Sequence, residues 1–68
     1  MFTIILTLSV DFLATVRALA LELPQVPINT NRVQELPLRP EVTEAEARRL
    51  AANYDATGHY DKIEIIRT

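Results

Sequence analysis

From Phe2 to Ser9 the side chains alternate, with Phe2, Ile4, Leu6 and Leu8 on one face of an extended chain and Thr3, Ile5, Thr7 and Ser9 on the other. A period of two belongs to a strand. One face is wholly apolar and the other half polar, the pattern of a sheet covered on one side and wetter on the other. Something later in the chain must therefore supply the cover. The chain has 68 residues and no cysteine, so no disulfide and no thiolate site can share that task. A domain of this size buries only about 60% of its unfolded surface and gains stability from a partner more than a large one does.

The next segments read in order. Asp11 to Leu23 has helical spacing, with Phe12, Val16, Leu19 and Leu23 on one stripe, flanked by Leu13 and Ala20, and Asp11, Thr15, Ala18 and Glu22 opposite. Ser9 or Asp11 can cap it, and Pro24 ends it. Pro24 to Asn31 is a loop. Arg32 to Arg39 is a second strand, and Pro37 within it lacks a backbone donor, which places it at a sheet edge. Thr43 and Glu46 form a capping box, Val42 can staple onto Ala47, and Gly58 offers the left-handed residue that ends the helix. Along that helix Ala47, Leu50, Ala51 and Tyr54 line one face, while Glu44 with Arg48 and Glu46 with Arg49 are spaced to pair on another. Asp61 to Arg67 is the last strand.

The expectation is an α+β fold, a single domain over residues 1–68 in the order β-α-β-α-β. The first strand is the most apolar and takes the centre, giving the order 2-1-3 with Pro37 toward solvent. The direction of the third strand relative to the first is left open. The half-polar face of the first strand favours both helices packed on one face of a three-stranded sheet.

Composition excludes several functions. Net charge is −2, carried by residues 41–68, and no basic stripe exists to neutralise phosphates, so no direct nucleic-acid binding is expected. No basic amphipathic helix suits a membrane surface. Met1 to Val10 followed by Ala18-Leu19-Ala20 imitates a secretory leader, but no basic residue precedes the apolar run, and Asp11 and Arg17 interrupt it. A cytoplasmic location is expected from the lack of cysteine. The single glycine cannot build a phosphate-cradling loop, and no cofactor is expected.

His59 is the one histidine, and with Asp55 and Asp61 it is too small a set for a zinc site. No catalytic or metal-binding residue is assigned. A tiny enzyme that completes its site at an oligomer interface, using His59 with Asp55, Asp61 or Arg48, is the least favoured reading. Arg and Tyr anchor protein interfaces more often than most side chains. The candidate protein-binding surface is therefore Arg48, Tyr54, His59 and Tyr60, around the end of the second helix. The C-terminal strand is a second candidate, because an edge with few protective features pairs with its own copy or with a partner strand. A homodimer and a monomer are both left open.

The stretch from Arg39-Pro40-Glu41-Val42-Thr43-Glu44-Ala45-Glu46-Ala47-Arg48-Arg49-Leu50-Ala51 to Ile63-Glu64-Ile65-Ile66-Arg67 resembles small phage-encoded α/β proteins, among them anti-CRISPR proteins and phage inhibitors of host RNA polymerase. In these a strand, a Glu/Ala-rich capped helix, a tight turn and a closing strand make a compact module. The resemblance covers the C-terminal half and implies an architecture, a protein partner and a host cytoplasm. It carries over no functional residue. The expected function is a small non-catalytic protein-binding module that inhibits or retargets a host complex; the alternative is a self-associating structural or regulatory subunit.

Overall fold

A computed structural model describes residues 1–68. Its elements are β1 (Phe2–Leu8), α1 (Val10–Glu22), β2 (Val33–Pro37), α2 (Glu44–Ala56) and β3 (Tyr60–Arg67). The three strands form one sheet in the order β2-β1-β3, and both pairings are antiparallel. The α+β class, the central first strand and the 2-1-3 order are those expected from the sequence, and the open question of the third strand is resolved as antiparallel.

Strand pairing sorts the side chains onto two faces. Ile4 lies between Leu36 and Ile65, and Leu6 between Gln34 and Ile63, so these residues share the covered face. Ile5 lies between Glu35 and Glu64, and Thr7 between Val33 and Lys62, on the open face. Ile4, Leu6, Leu38 and Ala47 form the buried core, with Phe2, Leu36, Val42, Leu50, Ala51, Tyr54, Tyr60, Ile63 and Ile65 packed around it. Ala47 and Ile4 are both 0% exposed, so α2 sits close on the sheet at a residue with no side chain beyond Cβ.

The β1–β2 ladder explains why Pro37 is tolerated. The amide of Leu38 donates to Phe2 O and that of Leu8 to Arg32 O, each at 2.9 Å. Even-numbered residues of these strands therefore exchange bonds. Pro37, opposite Thr3, falls at a position whose N–H would point to the outer edge.

Local chemistry sets the ends of α2. Thr43 Oγ1 accepts from the Glu46 amide at 3.2 Å. The Glu46 carboxylate turns back as the capping box requires, but its partner is the Thr43 hydroxyl, which donates to Oε1 at 3.2 Å, rather than the Thr43 amide. Glu44 and Arg48 pair at 2.7 Å. Beyond the helix Gly58 adopts φ +74°, the left-handed conformation that side chains with a Cβ resist.

The two helices do not behave alike. α2 lies along the covered face over β3 and β1. α1 is held less closely than α2, chiefly through Leu13 and the Phe12 ring against Tyr60. The three-stranded antiparallel sheet with two helices is the arrangement expected from the sequence, and α2 is the helix that covers the core. Ser9 caps α1 as expected, accepting from the Phe12 amide at 3.2 Å. The side of α1 turned inward is Leu13, buried, with Phe12, Val16 and Ala20 half-buried, so the expected stripe is turned in at its start and toward its Leu13–Ala20 flank, while its far residues Leu19 and Leu23 are exposed. The physical reason is that apolar residues lie on several sides of α1, so its buried side is chosen by where the chain leaves β1 at Ser9. The result is an elongated molecule: its radius of gyration is 13.2 Å, against about 11 Å for a compact chain of this length.

Candidate functional site

At the end of the sheet where α1 begins, the turn after α2 is tied to the start of α1. The Ser9 amide donates to His59 O at 2.8 Å. Above this bond the His59 and Phe12 rings stack, with centroids 4.3 Å apart and planes 13° from parallel. Phe12 meets Tyr60 edge to face at 5.8 Å, and Tyr60 meets Tyr54 in the same way at 5.8 Å. Four aromatic rings thus run in a chain from the turn, through α1, to α2. Burial, then the neighbouring Tyr54, raise the pKa of the Tyr60 phenol above its ordinary value, favouring the neutral form.

Three of the four residues assigned from sequence to a protein-binding surface, Tyr54, His59 and Tyr60, are brought together here. Arg48 is not. It lies six residues before Tyr54, about 9 Å along the helix, with its guanidinium on Glu44. Phe12, the ring that joins His59 to Tyr60, was not among the assigned residues. Its contact with His59 joins residues 47 positions apart, and no local spacing announces it. A shallow hollow of about 490 Å³ beside the stack is lined by Ser9, Asp11, Phe12, Thr15, Gly58 and His59.

Arg32 braces the same end of the sheet. Its Nε donates to Leu8 O at 3.0 Å, and its Nη2 reaches Asp61 Oδ2 at 2.7 Å. One side chain from the start of β2 therefore crosses β1 and holds β3. Asp61 is available because the β1–β3 pairing shifts there: Thr7 faces Lys62 and Leu8 faces Tyr60, leaving Asp61 as the extra residue of a bulge. Asp61 is thus engaged in a structural ion pair. Nowhere in the chain do three His, Asp or Glu side chains converge as metal ligands would.

Two other surfaces have chemistry to offer. Beside the free edge of β3, a groove of about 430 Å³ is lined by Ala51, Ala52, Asp55, Ile63 and Ile65. On α1, the side away from the sheet carries Val10, Ala14, Ala18 and Leu21, at steps of four, four and three residues. Leu21 is 85% exposed and Val10 67%. No helix is long and apolar enough to cross a membrane.

No family model matches this chain, and neither a curated protein nor a solved structure matches it.

Proposed function

We propose that this chain is a small, non-catalytic protein-binding module whose docking element is α1, laid into an apolar groove of a partner protein. The observation that carries this reading is the outer stripe of α1, Val10-Ala14-Ala18-Leu21, set in water on a helix whose inner side is apolar as well. A helix apolar on both sides ordinarily belongs in an interior. The chain exposes 5032 Å², against about 4,300 Å² for a compact protein of this mass.

The stripe fits the helix-in-groove mode, in which side chains three and four apart anchor a helix in an apolar trough. Arg17 flanks it on one side, and Asp11 and Glu22 on the other. The complementary groove has an acidic lip and a basic one. The likeness of the C-terminal half to small phage inhibitors supports a host protein complex as the partner. The aromatic chain then serves as the mount of α1, fixing its first turn to the domain through Phe12.

The test is capture from a bacterial lysate by wild-type protein and by Leu21→Glu. Leu21 contributes little to the fold at its exposure, so the variant stays folded. A stoichiometric partner retained by wild type and lost by Leu21→Glu is the expected result. A partner held equally by both removes α1 as the docking element.

A further inference from the structure

We propose that two copies of this chain pair through the free edge of β3, antiparallel about Ile63, so that the sheet runs continuously across a two-fold axis and the two α2 helices meet over it. This stands on different residues from the α1 reading and does not depend on it.

The edge is open, and its polarity is fixed. The Thr68 amide donates to Met1 O at 2.9 Å. Counting back along the β1–β3 register, Ile66, Glu64 and Lys62 turn their backbone groups toward β1. Ile63, Ile65 and Arg67 turn theirs outward, where no strand lies. Each copy thus offers a row of unpaired donors and acceptors.

Charge selects the register. In an antiparallel pair with two-fold symmetry, facing residues share a side of the sheet, so the axis falls on a residue rather than between two. Centring on Lys62 or on Glu64 sets that charge against its own copy, which is unfavourable. Centring on Ile63 places Lys62 of each chain opposite Glu64 of the other, twice, at the positions where side chains come closest. Centring on Ile65 creates no such pair. Lys62 and Glu64 already meet along their own strand at 2.8 Å, so the four charges form one alternating cluster on the open face.

On the covered face, α2 is complementary to itself. The groove beside β3 is bordered on the helix by Ala51, Ala52 and Asp55. Arg48 lies on the same side, one turn before the alanines, as Asp55 lies one turn after. Two such helices, antiparallel about Ala51 and Ala52, oppose Arg48 to Asp55 at both ends and alanine to alanine in the middle. Small residues there permit an interaxial distance of about 8 Å, the lower end of the usual range. Strand and helix thus call independently for one axis, and Ile63 and Ile65 line the groove at that level.

The experiment is sedimentation equilibrium on the full chain from low to high micromolar concentration. Wild type is expected to shift from 7.7 kDa toward twice that mass. Asp55→Arg, which sets arginines against Arg48, is expected to weaken association by about tenfold or more. The exchange Asp55→Arg with Arg48→Asp is expected to restore it. A strict monomer at all concentrations overturns the proposal and leaves the edge to a foreign strand. A dimer indifferent to Asp55→Arg, or one abolished by Leu21→Glu instead, overturns it in favour of another face, in the second case α1.

Discussion

α1 and α2 are each thirteen residues long, each N-capped by a hydroxyl, and opposite in their relation to the core. α1 is the more apolar and is the poorly covered one. α2 carries Glu44, Glu46, Arg48, Arg49 and Asp55, yet holds the sheet. The difference lies in arrangement. On α2 the apolar residues Ala47, Leu50, Ala51 and Tyr54 share one side, so a single placement turns them all toward the core. On α1 they are dispersed around the axis, and the placement adopted buries Leu13 while leaving Leu21 85% exposed. Hydrophobic content alone does not decide whether a helix packs.

The largest effect expected from breaking this contrast is at the residue beneath α2. Ile4→Ala should cost about 2–5 kcal/mol, enough to unfold much of so small a domain, whereas Leu21→Ser should stay within about 0.5 kcal/mol. Urea titration of both variants by circular dichroism checks this, and similar losses at the two sites would refute the contrast.

A smaller effect separates the caps. Thr43→Ala should lower global stability by about 1 kcal/mol, because α2 frays together with the core it covers. Ser9→Ala removes the equivalent bond in α1. Amide exchange should then quicken within α1 past Leu13 while the strands keep their protection. Uniform acceleration across the sheet would mean that α1 belongs to the cooperative core.

The smallest expected effect is pH dependence at the aromatic junction between the helices. The Tyr60 pKa is raised in the folded chain, by burial first and then by Tyr54. The unfolded chain therefore loses this proton first. The contribution is fully present below about pH 10 and disappears as pH rises through the folded value. Tyr60→Phe should flatten the decline in stability above about pH 10, and an unchanged alkaline slope would assign it to other groups.

Much of the architecture was legible because it is written in local chemistry. The alternation of Phe2 to Ser9 announced the central strand, Pro37 an edge, Thr43 with Glu46 a helix start, and Gly58 its end. What escaped was the long-range part. The seat of α1 depends on Phe12 reaching His59, a contact no periodicity encodes. The brace from Arg32 to Asp61 depends on a bulge that two ordinary polar residues do not disclose. Within the candidate surface, adjacency in sequence placed His59 beside Tyr60, and helix-end position brought in Tyr54. Arg48 was grouped with them although its helix carries it a turn and a half away.

The bulge at Asp61 has a consequence for how β3 is indexed. Strands of alternating character can slide past one another by two residues and still keep their oily side inward. Here a slide would pull the surplus aspartate off the one guanidinium that spans the sheet. That notch adds up to about 1 kcal/mol in favour of one seating of the third strand, and so helps fix the address of the isoleucine row on its outer flank.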